Sequence, residues 1–263
     1  MAKANKKKEI VTKYRLLDDT APFAVKEAYG MLRTNILYMP CEDNEARIIA
    51  ITSAEESSGK STILANLALS FSRTSKRVVV IDADMRCPRQ HRFFKYDKNS
   101  SGLSEYLAGM CTKDEVVKKN AYENLDMIPC GHIPPSPAEL VLSSKFAQLM
   151  NELKNEYDFV FIDFPPVGIV SDAAAVAKYV TGYLFVVRSG HSDMTFVRES
   201  IEQLEQVDAN ILGLIFNDIN FKETSYGKNY YNGKYRRYEY SKYSHQPQSR
   251  SSKSAQQGDK RQL

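Results

Sequence analysis

Eight consecutive residues, Ala54-Glu55-Glu56-Ser57-Ser58-Gly59-Lys60-Ser61, have the types and spacing needed to hold a phosphate group. They follow an apolar run and precede an amphipathic segment, which predicts a turn from a strand into a helix. Backbone N–H groups and the helix dipole attract anions at such a turn. Lys60 can reach the β- and γ-phosphates there, and the Ser61 hydroxyl can ligate Mg²⁺. We therefore expect a phosphate-binding site made of Ser57, Ser58, Gly59, Lys60, Ser61 and Thr62.

Three aspartates, Asp82, Asp84 and Asp163, each follow an apolar run of the sequence. Mg²⁺ is usually bound by one or two carboxylates together with phosphate oxygens. We expect Ser61, Asp84 and Asp163 to hold magnesium and its waters, and Asp82 to accept the proton of an incoming nucleophile. A single aspartate after a strand can instead cap the next helix. Three of them at matching strand ends, beside a phosphate loop with its Lys60, favour the catalytic interpretation.

These side chains need a scaffold that brings separate stretches of chain to one edge. Apolar runs, which predict strands, are Ile48–Ile51, Val78–Ile81, Leu125–Ile128, Phe159–Ile162, Leu184–Val187 and Ile211–Phe216. Helical patterns are Ala21–Tyr38, Thr62–Phe71, Ser143–Glu156, Ser171–Tyr179 and Met194–Val207. Strands that are apolar on both faces and alternate with helices indicate an α/β fold, with a mostly parallel sheet covered on both faces. With its phosphate loop, the predicted domain is P-loop NTPase-like, and ligands should bind beyond the carboxyl ends of the strands.

The 263 residues divide into three parts with different charge. Residues 1–45 hold a basic segment and one helix, 46–221 the α/β domain, and 222–263 a polar tail predicted to be disordered. The tail has ten Lys/Arg against three Asp/Glu, a net charge of +7, and residues 1–15 have six against one, a net of +5. Because the whole chain is +4, the middle is −8. The basic ends suit an anionic lipid surface or an acidic protein segment, or they are simply solvated. Nothing else in the sequence indicates nucleic acid.

Seven of the sixteen tyrosines lie within eighteen residues of the tail. They are Tyr226, Tyr230, Tyr231, Tyr235, Tyr238, Tyr240 and Tyr243. Such a cluster is either a cohesive low-complexity segment or a set of phosphate acceptors. A phenol, with a pKa of about 10, attacks phosphorus more readily when a positioned group accepts its proton. Each phosphate would add about −1.5 to −2 charges, so several of them would reverse the charge of the tail.

Other sequence features indicate where the protein is found and exclude one class of kinase. The four cysteines show no paired spacing, which is typical of reduced thiols in an intracellular protein. The N-terminus lacks the apolar stretch of a signal peptide, and the most apolar later region is too short to span a bilayer. Asp163-Phe164-Pro165 is similar to a metal-binding motif of eukaryotic protein kinases, but the glycine loop and other motifs of that class are missing.

With these residues in place, the chain resembles the bacterial tyrosine kinases of capsule and exopolysaccharide systems, in the form of a separate cytoplasmic subunit. The resemblance covers about residues 26–243. It rests on three Walker motifs, at Ala54–Ser61, Asp82–Arg86 and Ile162–Pro166. Supporting pieces are Gly102-Leu103-Ser104, Pro135–Leu140 and Ser171-Asp172-Ala173. The resemblance implies phosphorylation of tail tyrosines by ATP and Mg²⁺, between subunits of a homo-oligomer, and control of polysaccharide biosynthesis and export.

The resemblance also implies partners. These are a membrane adaptor of the polysaccharide co-polymerase type, which activates the kinase and recruits it to the inner face of the membrane, and a cognate tyrosine phosphatase.

Two positions depart from the family. Glu56-Ser57 stands where its loop often has Pro-Gly, and the assembly helix has Glu27, Gly30 and Arg33 where the family has Glu, Arg and Arg. We keep Glu27 and Arg33 as expected interface residues.

Two residues at the ends of late apolar runs have two interpretations each. Asn217 contacts the adenine edge or forms a turn, and Arg188 lies near the base or ribose or at the surface. The alternative function is a dimerising switch ATPase of the partition and division-site type, which shares the three Walker motifs. Those proteins carry an additional lysine early in the loop, where this chain has Glu55. A third possibility is an adaptor that binds nucleotide without turnover.

Overall fold

The computed structural model describes residues 16–18, 20–39 and 46–219. The chain divides into the units Met1–Ile219 and Asn220–Leu263, and every described residue belongs to the first. The predicted tail with its seven tyrosines, and the first fifteen residues, lie outside the described residues. Within the described ranges, no helix is both long and apolar enough to cross a membrane.

A seven-stranded sheet forms the centre of the domain. Its neighbours follow the order β3-β4-β2-β5-β1-β6-β7, and every neighbouring pair is parallel except β3 and β4. The strands are β1 Arg47–Ser53, β2 Val78–Asp82, β3 Lys118–Tyr122, β4 Leu125–Ile128, β5 Phe159–Asp163, β6 Gly182–Arg188 and β7 Ile211–Asn217. Each predicted apolar run lies within one of these strands, which confirms the α/β class and the mostly parallel sheet.

Burial on both faces explains why these runs form central strands. Along β2, Val79 and Ile81 pack into one hydrophobic cluster, and Val78 and Val80 pack into the other. Successive side chains of a strand point to opposite faces, so a continuous apolar run supplies both layers of core. The centre of the sheet is shielded from solvent, because every residue of β2 and β5 is buried.

Helices cover both faces of this sheet. They are α1 Phe23–Leu37, α2 Lys60–Ser72, α3 Gln90–Phe94, α4 Leu103–Leu107, α5 Lys113–Val116, α6 Pro137–Val141, α7 Ser144–Glu156 and α8 Met194–Glu205. The helical pattern predicted over Ser171–Tyr179 corresponds to a 3₁₀-helix over Ala174–Tyr179, which is shorter and more tightly wound than an α-helix. Its buried neighbours Ala173 and Val176 are three residues apart, which suits a helix with three residues per turn.

The strand β3 and the short helices α3 to α6 have no counterpart among the predicted elements. β3 is polar and largely exposed, and it pairs antiparallel with β4 at the outer edge of the sheet. Its register shifts between Lys118 and Tyr122, and Asn120 has a left-handed φ of 55°. A short polar strand gives no hydrophobic period, and the short helices have too few turns to show one.

Candidate nucleotide and phosphoryl-transfer site

The phosphate-binding loop joins the end of β1 to the start of α2. Gly59, at the helix N-terminus, has a φ of 96°, and a side chain there would collide with the amide of Asn217. Ser57 also adopts a left-handed conformation, with a φ of 60°. The Ser58 hydroxyl is buried and has no hydrogen-bond partner among the described residues. The backbone of the loop is therefore strained at Ser57 and closely packed at Gly59. Thr62 lies half-buried in the first turn of α2.

Lys60 and Asp84 form a buried ion pair at this loop. The Lys60 Nζ lies 3.1 Å from Asp84 Oδ2, and the two side chains are 9% and 4% exposed. Burial alone would lower the pKa of Lys60, but the charges of Asp163, Asp84 and Asp82 raise it above the usual value. Lys60 is therefore a fixed positive charge. The second oxygen of Asp84 accepts a hydrogen bond of 3.0 Å from the Cys87 N–H.

Asp82 and Asp163 are direct neighbours in the register between β2 and β5. Both are buried, and Oδ1 of each has no hydrogen-bond partner among the described residues. Burial raises the pKa of Asp82 well above its ordinary value and also raises the pKa of Asp163. Asp82 Oδ2 accepts hydrogen bonds from the N–H groups of Arg89 and Gln90. One oxygen of Asp82 thus caps α3, as the alternative interpretation predicted, while the other is left open.

Gln90 is a residue of this site that the sequence did not mark. It is fully buried at the start of α3, and its Nε2 donates hydrogen bonds to Asp163 Oδ2 at 2.8 Å and to the Ser61 carbonyl at 3.1 Å. No motif spacing singles it out. It lies four residues after the second Walker motif, Asp82–Arg86, and that proximity is the one sequence signal that could have found it.

A second ion pair orients Arg86. Its Nε and Nη2 donate to the two oxygens of Asp172 at 3.1 and 3.2 Å, and Asp172 is buried. Such a two-point bond fixes the plane of the guanidinium group. The short motif Ser171-Asp172-Ala173 therefore serves to hold an arginine of the second Walker motif in place.

An open cleft lies beside three of these groups, Lys60, Asp84 and Arg86. It has about 400 Å³ of empty space, open solvent included. Its lining residues are Glu56, Ser57, Lys60, Asp84, Arg86, Cys87, Arg89, Pro165, Pro166, Ile169 and Val170. One side carries charges and the other is apolar. The arrangement suits a phosphate group next to a flat hydrophobic group.

Arg188 and Asn217 pair across β6 and β7 and both contact the phosphate loop. Asn217 Nδ2 donates to the Ser58 carbonyl at 2.9 Å, and Arg188 Nη1 donates to the Ser57 carbonyl at 3.3 Å. Arg188 also binds Asp218, which the sequence analysis missed, through Nε and Nη2 at 3.0 and 2.9 Å. The two predicted base-contact residues therefore lie at the site. Their contact with a nucleotide stays a prediction.

The two expected interface residues on α1 lie apart from this site. Glu27 is exposed, whereas Arg33 donates from Nη1 to the carbonyl and the hydroxyl of Ser70, each at 2.8 Å. Arg33 thus fastens α1 to α2 within the subunit. Its role between subunits stays a prediction, as does that of Glu27.

The carboxylates suit magnesium better than a metal held by protein alone. Among the described residues, no group of three or more His, Cys, Asp or Glu side chains forms a metal cluster. Mg²⁺ does not need one, because it keeps waters and binds through one or two carboxylates plus substrate phosphates. The open Oδ1 of Asp163, with the Ser61 side chain close enough to lower the pKa of that carboxyl, matches that requirement.

The parallel sheet and its phosphate loop define a nucleotide-binding protein of the P-loop ATPase class. Residues 46–223 match the AAA_31 family, described as an AAA domain. The chain is 35% identical to the putative tyrosine-protein kinase CapB of Staphylococcus aureus over 224 residues, which is 85% of this chain and 96% of that one. Within the P-loop class, the chain belongs to the bacterial tyrosine-protein kinases.

Two solved structures agree with this assignment. The kinase domain of the Escherichia coli tyrosine kinase ETK is 34% identical, with a TM-score of 0.70, over 78% of this chain and 83% of that one. The septum site-determining protein MinD of Pyrococcus horikoshii, complexed with Mg-ADP, is 23% identical, with a TM-score of 0.59, over 70% and 76%. The second likeness concerns the fold alone. The family places this chain in the enzyme class of protein-tyrosine kinases.

Proposed function

We propose that this protein is an autokinase that uses ATP and Mg²⁺ to phosphorylate the tyrosine cluster of its tail, between copies of the chain. The observation that carries the proposal is the pair Asp82 and Asp163. They end neighbouring strands and are buried, and in the described part of the chain each has one oxygen without a partner, near the charge of Lys60. Buried polar atoms are normally satisfied. Open carboxylate oxygens at a phosphate loop therefore favour a site that binds an ion and a proton donor.

In the proposed reaction, the phenol oxygen of a tyrosine attacks the γ-phosphorus of ATP. The new P–O bond forms as the bond from the γ-phosphorus to the β,γ-bridging oxygen breaks, and ADP leaves. Asp82 receives the phenol proton through its open Oδ1, and its raised pKa makes it a stronger base than an ordinary aspartate. Lys60 supplies the fixed positive charge that stabilises the transferred group. The apolar side of the cleft, with Pro165 and Ile169, suits the tyrosine ring.

Ser61, Asp84 and Asp163 are the residues that would hold magnesium. The bound ion would neutralise phosphate charge as it builds up during transfer. Asp84 already pairs with Lys60 at 3.1 Å, so it would contribute its negative charge next to the lysine as well as next to the ion. Asp163 offers its open oxygen to the ion, while its other oxygen stays hydrogen-bonded to Gln90.

The tail supplies a physical switch for this activity. Its net charge of +7 favours an acidic partner, and a few phosphates of about −1.5 to −2 charges each would reverse that attraction. We propose that the unmodified protein docks through an adaptor at the inner face of the cell membrane, that phosphorylation releases it, and that a tyrosine phosphatase resets it. This cycle would control capsular or exopolysaccharide biosynthesis and export, and homo-oligomers would bring tails to neighbouring sites.

Mass spectrometry of purified protein incubated with Mg-ATP tests the transfer directly. We expect phosphotyrosine in the tail of the wild type, and a loss of at least about 100-fold in Lys60→Met, since one electrostatic contact of this kind contributes that much. Lys119→Met is the matched control, because Lys119 also pairs with an aspartate, Asp126, at 3.0 Å, but at the far edge of the sheet. If the wild type makes no phosphotyrosine even when the intracellular segment of its membrane adaptor is added, the proposal is contradicted.

A mixing experiment tests transfer between chains. Lys60→Met keeps its tail but lacks the catalytic lysine, and a second variant keeps Lys60 but has Phe at all seven tail tyrosines. Phosphotyrosine on the Lys60→Met chain, seen only when both are present, supports transfer between copies. If wild-type phosphorylation is instead independent of protein concentration and the mixture stays unmodified, transfer occurs within one chain.

The switch-ATPase alternative is less well supported. That class needs a lysine early in the loop, and here Glu55 accepts a hydrogen bond of 3.1 Å from the Asp193 N–H at the start of α8. Glu55 therefore anchors the loop within its own subunit. Dimerisation and hydrolysis driven by ATP, unchanged when the tail tyrosines are replaced by Phe, would favour the alternative.

A further inference from the structure

We infer that Gln90 is a positioning residue that holds the magnesium-binding carboxylate Asp163 in its working orientation. This inference rests on the proposed function for the role of Asp163, and it adds a residue that none of the Walker motifs includes. It starts from the contacts of a single buried side chain.

The amide of Gln90 connects the three motifs of the site. Both N–H bonds of its Nε2 are used, one on Asp163 Oδ2 at 2.8 Å and one on the Ser61 carbonyl at 3.1 Å. Its backbone N–H donates to Asp82 Oδ2 at 2.9 Å. The phosphate-loop helix, the end of β2 and the end of β5 are thus joined through one residue.

The chemistry of an amide suits this task. A neutral donor can orient Asp163 without cancelling its charge, whereas a lysine or arginine in this place would form an ion pair and compete with Mg²⁺. Because Gln90 occupies Oδ2, the free oxygen of Asp163 is Oδ1, which has no partner among the described residues. Groups that orient a metal ligand in this way contribute strongly to metal affinity.

The amide oxygen of Gln90 gives a second, independent reason. Oε1 is buried and has no partner in the described part of the chain, and an unsatisfied buried acceptor costs about 1–3 kcal/mol. Exchanging the amide nitrogen and oxygen would place an acceptor against two acceptors, Asp163 Oδ2 and the Ser61 carbonyl, so the contacts fix the orientation. The amide is therefore held in the orientation that directs its two donors at Asp163 and at the phosphate-loop helix.

Calorimetric titration of the full chain with ADP, with Mg²⁺ and with EDTA in its place, tests the inference. Gln90→Met keeps the length and volume of the side chain but removes both donors. We expect Mg-ADP to bind about 10- to 100-fold more weakly to this variant, while ADP in EDTA binds as it does to the wild type. The rate of tail phosphorylation should fall by a similar factor at subsaturating Mg-ATP, and it should recover as the concentration of Mg²⁺ is raised.

Gln148→Met is the matched control. Gln148 Nε2 also donates to a carboxylate, Glu152 Oε1, at 2.8 Å, but on an exposed face of α7. We expect this variant to bind both forms of ADP like the wild type. Gln90→Asn is the second test variant, because it keeps the amide but is too short to reach Asp163 and Ser61 together, and it should lose Mg²⁺-dependent affinity in the same way.

Three results would overturn the inference. The first is wild-type Mg-ADP affinity in a folded Gln90→Met protein. The second is an equal loss of affinity with and without Mg²⁺, which would mean a general distortion of the loop. The third is loss of the folded state in both Gln90 variants by circular dichroism, which would make Gln90 a packing residue only. Failure of the wild type to make phosphotyrosine would contradict the proposed function instead, and the titration would still decide the role of Gln90.

Discussion

Two sites centred on carboxylates differ in how completely their oxygens are hydrogen-bonded. We call them the closed cluster, around Glu105, and the open cluster, formed by Asp82 and Asp163. Glu105, at the start of α4, has every acceptor position used. Its Oε2 accepts from the Gly102 N–H and the Ser104 hydroxyl, and its Oε1 lies within hydrogen-bond distance of the backbone and ring nitrogens of His132. Burial alone would raise the pKa of Glu105, but these hydrogen bonds lower it to about 2.

Asp82 and Asp163 show the reverse pattern. Among the described residues, each accepts hydrogen bonds through only one oxygen. Each is buried more completely than Glu105, and burial raises the pKa of both. The closed cluster stabilises a turn, and the open one costs stability in order to keep acceptors available. In these two clusters, complete hydrogen bonding goes with a structural carboxylate, and an unpartnered oxygen goes with the carboxylates expected to meet a ligand.

The largest expected difference between the clusters is in catalytic rate. Asp82→Asn removes the proposed proton acceptor and should slow tyrosine phosphorylation by about 10²- to 10⁴-fold. Glu105→Gln should leave the rate per folded molecule unchanged, because Glu105 contacts only the turn around Gly102 and His132. Single-turnover assays with equal amounts of folded protein measure both. Equal loss in the two variants would end the distinction.

Stability should change in opposite directions. Glu105→Gln weakens charge-assisted hydrogen bonds and should lower the free energy of unfolding by about 2 kcal/mol at pH 7. Asp82→Asn keeps one oxygen for the N–H groups of Arg89 and Gln90 but removes a buried charge, so this variant should unfold at higher denaturant concentration than the wild type. Urea titrations check both signs. A less stable Asp82→Asn protein would mean that its open oxygen is satisfied in solution.

The two clusters should also affect the free energy of unfolding in different pH ranges. The raised pKa values of Asp82 and Asp163 give a contribution that is present below about pH 4 and is lost as the pH rises through the folded values. The lowered pKa of Glu105 gives a contribution that is present above about pH 4.5 and is lost as the pH falls through about 2. Unfolding midpoints from pH 2 to 8 should therefore lose part of their decline at higher pH in Asp82→Asn, because Asp163 remains. In Glu105→Gln they should lose part of their acid decline.

The smallest effect concerns the backbone of the open site. Ser57→Gly should stabilise the protein by about 0.5 kcal/mol, because relief of the left-handed strain exceeds the added freedom of the unfolded chain. Ser75→Gly is the matched control, since exposed Ser75 has a φ of 57° in a turn remote from the loop, and it should give the same gain. Only Ser57→Gly should weaken nucleotide binding, by about twofold to threefold, through lost preorganisation. A change in nucleotide affinity on Ser75→Gly would rule out this local explanation.

The sequence predicts the open cluster well and the contacts around it poorly. Asp82 and Asp163 follow apolar runs, so a local pattern places both at one edge of a parallel sheet. Gln90 bonds to Ser61 and Asp163, 29 and 73 residues away, and Asp218 bonds to Arg188, 30 residues away. No local period encodes such long-range contacts. The strand β3 was missed for a different reason, because it is stabilised by pairing with β4 and not by burial of its own side chains.

That same outer strand limits how copies of this protein can join. A bare strand edge invites backbone pairing with another molecule, and proteins prevent this with lysines and irregular register. β3 has both, in Lys118, Lys119 and the irregularity at Asn120. Molecules crowded together should therefore not polymerise into a continuous ribbon through this side, even at high local concentration.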